Sequence, residues 1–151
     1  MSPELEVQYA SNAEHLPAQA ALRRWAEAAL RHAGVDGELL VRIVDEAESS
    51  ELNLGYRGKQ GPTNVLSFPF DAPPALADER HLGDIVICAP VVRAEASQQG
   101  KVLSAHWGHM VVHGVLHLLG YDHQTTSEAH AMERLECEIL AELGFPNPYE
   151  T

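Results

Sequence analysis

The chain has 151 residues, of which 45% are apolar, so it is long enough and apolar enough to bury one hydrophobic core. Its formal net charge is −12, with only 10 basic residues, which by itself argues against a nucleic-acid partner because phosphate binding normally needs a basic surface. No apolar run is long enough to cross a bilayer, and the first residues lack the basic and apolar regions of a secretory signal. We therefore expect a cytoplasmic protein with no membrane partner.

The first part of the chain alternates predicted strands and helices. Residues 5–9, "LEVQY", alternate in polarity as a strand does, and Pro17 opens a helical stretch that Gly34 ends. Residues 38–46, "ELLVRIVDE", are predicted as a second strand. A short helix follows, and we expect it to end near Gly55. This part therefore has the predicted order β-α-β-α.

The middle of the chain contains two further predicted strands. "NVLSF", residues 64–68, is expected either to lie at an edge of the sheet or to end at Pro69, which follows it directly. Residues 71–80 contain prolines and charged residues in the pattern of a loop. "GDIVICA", residues 83–89, is predicted as a buried strand.

The last part of the chain is predicted to be helical. Pro90 begins a helix that Gly100 stops, and a long helix is expected over residues 103–119. A T-x-x-E capping box at residues 125–128 opens the final helix. The complete order, β-α-β-α-β-β-α-α-α, predicts the α+β fold class, with a single domain over residues 1–151 and a small mixed β-sheet packed by helices.

Three histidines fall within the eleven residues "HGVLHLLGYDH", 113–123. His113 and His117 are four positions apart on the predicted helix, which places their Cβ atoms roughly 5–6 Å apart on one face. Gly120 suits a left-handed turn that ends the helix and returns His123 as a third ligand. Three imidazoles with an open fourth position are typical of catalytic zinc, so the pattern predicts one Zn²⁺ ion on a zincin-like metal helix.

Two alternatives follow from the same stretch of sequence. His109 and His113 are also an i, i+4 pair, so a metal site one turn earlier is conceivable, although it lacks a turn glycine and a third histidine. His106 and His109 are otherwise expected to be exposed or to support the ligands from outside. The spacing also matches that of metzincin proteases, which carry a general-base glutamate where this chain has Gly114.

Three stretches resemble the YbeY family of bacterial ribosomal RNA maturation endoribonucleases, namely "HGVLHLLGYDH", "YRGKQGPTNVLSFPF" and "GDIVI". The resemblance extends from about residue 40 to residue 143. It implies a zinc-dependent endoribonuclease, specific for single-stranded RNA, that acts at the 3′ end of 16S rRNA and in ribosome quality control. It also implies ribosomal RNA and the ribosome or its proteins as partners. The implied zinc ligands are His113, His117 and His123.

The functional arginine of the family corresponds to Arg57, in a glycine-flanked segment that we expect to be a loop before the 64–68 strand. The resemblance thus implies that Arg57 binds substrate and acts in catalysis, in keeping with the bidentate binding of phosphate by a guanidinium, and Lys59 is a further candidate for substrate binding. With Gly114 in place of glutamate, no general base is assigned. The alternatives are a metal-dependent peptidase or amidase, and a non-enzymatic ribosome assembly factor with a structural zinc.

Overall fold

The computed structural model describes residues 5–70, 81–122 and 124–149. Within these ranges the helices and strands follow the predicted order β-α-β-α-β-β-α-α-α. The loop predicted over residues 71–80 and the third predicted zinc ligand, His123, lie outside the described residues.

Four strands among the described residues form one mixed sheet in the order β1-β2-β4-β3. They are β1 Leu5–Ala10, β2 Glu38–Val44, β3 Val65–Pro69 and β4 His81–Cys88. Strands β1, β2 and β4 run parallel, and β3 pairs antiparallel with β4 at one edge. The strand order confirms the edge position, one of the two alternatives expected for β3, where proline, which lacks an N–H donor, is tolerated.

The helices of the described residues are α1 Gln19–Ala33, α2 Glu46–Arg57, α3 Ala89–Gln99, α4 Leu103–Leu118 and α5 Thr126–Glu142. The prediction that α2 ends near Gly55 is wrong, because the helix continues to Arg57. Gly58 takes the left-handed conformation with φ 66°, and its N–H donates to the Leu54 carbonyl. Arg57 is therefore the last residue of a helix and does not lie in a loop. Within the described ranges, no helix combines the length and the apolar character needed to cross a membrane.

Helix α4 is the central helix of the core, in contact with strands β3 and β4 and with helices α1, α3 and α5. Its approach to the sheet depends on Gly114. A Cβ atom at this position would lie 2.9 Å from a methyl group of Ile85 and 3.1 Å from one of Val65. The Ser67 hydroxyl of β3 also donates to the Gly114 carbonyl, at 2.8 Å. Position 114 therefore faces the sheet at close range.

The turn that ends α4 forms as the sequence predicts. Gly120 has a φ of 100°, which is in the region that favours glycine. Its N–H donates to the His117 carbonyl at 3.0 Å, and the Tyr121 N–H donates to the Leu116 carbonyl at 3.0 Å. This pair of bonds is a Schellman motif, which satisfies carbonyls that the helix end would otherwise leave unpaired.

Candidate functional site

A cleft of about 530 Å³ lies between the end of α2, the edge strand β3 and the C-terminal half of α4. Three of the predicted site residues, Arg57, His113 and His117, line it. Its other polar lining residues include Asn64, Ser67 and Asp122. Lys59 is exposed just beyond α2 and is not among the lining residues. The cleft thus brings together a guanidinium and two imidazoles from separate parts of the sequence.

His113 and His117 border the cleft from successive turns of α4. Their ring centroids are 4.6 Å apart with an interplanar angle of 71°, and both side chains are partly exposed. Imidazole nitrogen is a preferred ligand of zinc and of several other transition metals. Two neighbouring imidazoles at a solvent-accessible cleft therefore fit a metal ion of this class.

A second group of donor atoms surrounds Glu136, which is 1% exposed in α5. Its Oε2 is 2.8 Å from Nε2 of His109 and 3.1 Å from Nδ1 of His113. One donor atom from each of the three residues lies within 4.8 Å of the others, so this buried group has the ligands to bind a metal ion. The alternative site one turn earlier therefore does possess a third donor, a carboxylate rather than a histidine.

The electrostatics of this group follow from its hydrogen bonds. Burial by itself raises the pKa of the Glu136 carboxyl, but hydrogen bonds from His109 and His113 outweigh it and hold this pKa at about 2. Burial and the adjacent Glu136 carboxylate raise the pKa of Tyr149, so its hydroxyl stays protonated. That hydroxyl donates to Oε1 of Glu136 at 2.8 Å. The carboxylate is consequently ionised and accepts hydrogen bonds from three side chains.

His106 and His109 are buried, with 3% and 8% of their surfaces exposed, so of the two alternatives expected for them exposure is wrong, and a supporting position stays a prediction. Nε2 of His106 lies 3.0 Å from Oε1 of Glu95 in α3. Glu95 also accepts a hydrogen bond from the amide of Asn64, which lines the cleft. These histidines therefore connect α4 to carboxylates of the neighbouring helices.

Glu136 and Tyr149 are the contributors to this region that sequence reasoning missed. Glu136 shares the buried face of α5 with Met132, Ile139 and Leu140 at helical spacing. A charged residue on an otherwise apolar stripe indicates a buried partner, so the signal was present in the sequence. Tyr149 follows the last helix in a short segment with two prolines, where no periodic pattern marks it.

The fold and the cleft define a class: small α+β proteins in which a central helix presents two histidines to a cleft that an arginine also lines. The family model described as "Endoribonuclease YbeY" matches residues 6–144. The chain belongs to this family.

Relatives of high similarity carry the same name. "Endoribonuclease YbeY" of Pseudomonas putida is 58% identical over 146 residues, which cover 97% of this chain and 92% of the relative. The protein of that name from Alkalilimnicola ehrlichii is 58% identical over 150 residues, covering 97% and 90%. The solution structure of TM1509 from Thermotoga maritima matches with a TM-score of 0.57 at 24% identity, covering 96% of this chain and 99% of that one. Its likeness confirms the predicted α+β fold.

Proposed function

We propose that this chain is a zinc-dependent endoribonuclease that cleaves single-stranded RNA in the cytoplasm. Its proposed role is maturation of ribosomal RNA, at the 3′ end of 16S rRNA, and ribosome quality control. Residues 1–151 form the one catalytic domain of this proposal. The observation that carries it is the cleft lined by His113, His117 and Arg57, in a chain of the endoribonuclease YbeY family.

The proposed zinc ligands are His113, His117 and His123. The donor chemistry supports this assignment, because catalytic zinc is commonly held by three protein ligands with imidazole prominent among them. When bound, zinc supplies a Lewis acid that stabilises negative charge on a phosphoryl oxygen. The partly exposed pair of rings at the cleft gives an RNA backbone access to that position, whereas Glu136 is 1% exposed.

Arg57 is proposed to bind and orient the scissile phosphate. Its guanidinium offers parallel N–H donors that match two phosphate oxygens, and it lines the same cleft as the histidine pair. Charge on those oxygens increases in the transition state, so a fixed cation there lowers the barrier. Lys59, just beyond the helix end, is proposed to bind the RNA backbone next to the cleft.

The acidic character of the chain limits how RNA binds. With a net charge of −12, few phosphates can be neutralised, and the proposed contacts are local ones by Arg57, Lys59 and the zinc. Each phosphate contact to a single strand contributes a slope of about −0.7 to the dependence of affinity on salt. We therefore propose weak intrinsic RNA binding with a shallow salt dependence, and recruitment through the ribosome or a ribosomal protein. A flat salt dependence would contradict phosphate-led binding.

The close packing at position 114 argues against a peptidase. A glutamate there would begin with a Cβ atom 2.9 Å from a methyl group of Ile85 and 3.1 Å from one of Val65, so these side chains would have to shift to admit it. The packing of α4 on the sheet thus disfavours the general base that metzincin proteases place at this position.

A direct assay tests the proposal. The zinc-loaded chain is incubated with labelled single-stranded RNA, with a duplex of the same sequence and, separately, with casein. We expect internal cleavage of the single strand, little cleavage of the duplex and none of casein, with activity lost to a chelator and restored by zinc. Intact RNA in the presence of stoichiometric zinc would favour an assembly factor with a structural zinc. Digestion of casein would favour the peptidase alternative.

A further inference from the structure

We infer that Glu136 is a positioning residue that fixes the ring orientation and the tautomer of His113, and that Tyr149 and His109 hold the carboxylate in place for this purpose. The inference deepens the proposed function, because it rests on His113 being a metal ligand at the cleft. It assigns a role to the buried group of Glu136, His109 and Tyr149, which His113 contacts in addition to lining the cleft.

The first observation is that both oxygens of the Glu136 carboxylate accept hydrogen bonds. Oε2 receives His109 and His113, and Oε1 receives the Tyr149 hydroxyl at 2.8 Å. Glu136 lies on an otherwise apolar helix face and is 1% exposed. A buried carboxylate is costly unless several donors satisfy it, so this arrangement fixes the carboxylate in one orientation.

The second observation concerns the proton on His113. A neutral imidazole carries one N–H, and a carboxylate can only accept, so the nitrogen facing Glu136 must be the protonated one. That nitrogen is Nδ1, at 3.1 Å. The lone pair that a metal requires is then on Nε2. A histidine that donates to a carboxylate through one nitrogen has a fixed ring orientation and a more basic second nitrogen.

The third observation separates positioning from direct ligation by Glu136. An ion held by His109, His113 and Glu136 would have to replace the ring protons that now bind the carboxylate. It would also occupy a position where the side chains of His109 and Glu136 are 10% and 1% exposed. His113 is 23% exposed on its side chain and lines the cleft, so an ion there is accessible to a substrate.

The segment after α5 completes the arrangement. The Tyr149 N–H donates to the Asn147 side chain at 2.8 Å, and Nζ of Lys101 donates to the Pro148 carbonyl at 3.0 Å. The Tyr149 ring also packs edge-on against His109, with centroids 5.5 Å apart. These contacts hold the Tyr149 hydroxyl next to Glu136. The segment after α5 therefore helps to position the carboxylate that His113 contacts.

The test compares Glu136→Gln and Tyr149→Phe with Glu138→Gln, an exposed carboxylate on the same helix. Zinc affinity of the full chain is measured by chelator competition, and the His113 tautomer by ¹⁵N NMR. We expect about 10- to 100-fold weaker zinc binding for Glu136→Gln, the range found when such outer partners of a ligand are removed. Tyr149→Phe should weaken zinc binding by a smaller factor, and Glu138→Gln should leave it unchanged. The wild-type spectrum should show His113 protonated at Nδ1.

Three results would overturn the inference. One is wild-type zinc affinity in a folded Glu136→Gln variant. Another is an Nε2-protonated His113 in the wild type, a result that needs no variant to fold and does not depend on catalysis. The third is complete loss of the zinc site in Glu136→Gln while His117→Ala keeps it, because Glu136 would then be a ligand. Should Glu136→Gln unfold, the tautomer measured in the wild type still decides for or against the inference. Absence of RNA cleavage with the tautomer as expected would contradict only the proposed function.

Discussion

Helix α4 carries four histidines in two different environments. In its N-terminal half, His106 and His109 are buried and bind carboxylates of α3 and α5. In its C-terminal half, His113 and His117 are partly exposed and line the cleft. The two halves have the same residue type on one continuous helix, and their neighbours make them different.

This contrast shows that sequence spacing alone does not decide which histidines contact a buried carboxylate and which line the cleft. His109 and His113 have the same i, i+4 relation as His113 and His117. The elements packed around each turn supply Glu136 to the first pair and the cleft with Arg57 to the second. His113 belongs to both groups, with Nδ1 at the carboxylate and its ring at the cleft edge.

The largest expected effect comes from removing a histidine of the C-terminal half of α4, which we call the cleft half; the N-terminal half is the buried half. His117→Ala should lose stoichiometric zinc, because two ligands at most would remain of the proposed three, and RNA cleavage should fall by roughly 100-fold or more. His113→Ala should behave in the same way. His106→Gln, in the buried half, should keep its zinc. Metal analysis of the purified variants checks this, and zinc retained in His117→Ala but lost in His106→Gln would reverse the comparison.

The next largest effect is expected from Arg57, which lines the same cleft. Arg57→Ala should keep its zinc and cleave RNA about 100-fold more slowly, the magnitude expected when one stabilising donor to a developing oxyanion is removed. Arg93→Ala, at an exposed position of α3, is the matched control and should cleave normally. Cleavage rates of single-stranded RNA under saturating zinc decide the matter. An Arg57→Ala rate equal to that of the control would exclude a catalytic part for Arg57.

Substitutions at two helical glycines test how tightly the cleft half of α4 packs on the sheet. Gly114→Ala should lower the free energy of unfolding by about 1–3 kcal/mol, because the new methyl group overpacks against Ile85 and Val65. Gly55→Ala in α2 meets nothing within 4 Å and should raise it by up to about 1 kcal/mol through helix propensity. Urea denaturation measures both. Equal stability of the two variants would show that position 114 is not tightly packed.

The smallest expected effect is on the pH dependence of stability, through His106 in the buried half of α4. Burial lowers the pKa of His106; Glu95 opposes this shift, while His109 and Lys101 add to it. Below about pH 6.5 the unfolded chain therefore takes up a proton at His106 that the folded protein does not, and the contribution of this residue to stability declines. His106→Gln should lose less stability than the wild type between about pH 7.5 and about pH 5.5. Identical losses in urea denaturation would indicate that His106 titrates normally.

The sequence predicted the order of elements, the edge position of β3 and the turn at Gly120, because each depends on local periodicity or on one special residue. It misplaced the end of α2, since Gly55 is accommodated inside the helix and Gly58 supplies the left-handed cap. The apolar face around Glu136 indicated a buried charge, but its histidine partners lie 23 and 27 residues away on another helix, so local pattern could not identify them.

Locating the bound metal tests the central claim most directly. Crystals of the zinc-loaded chain would be measured with anomalous diffraction at the zinc absorption edge. We predict one peak at about 2.0–2.1 Å from Nε2 of both His113 and His117, with His123 as the third ligand. A peak among His109, His113 and Glu136 instead would place the metal in the buried half of α4 and contradict the proposed active site.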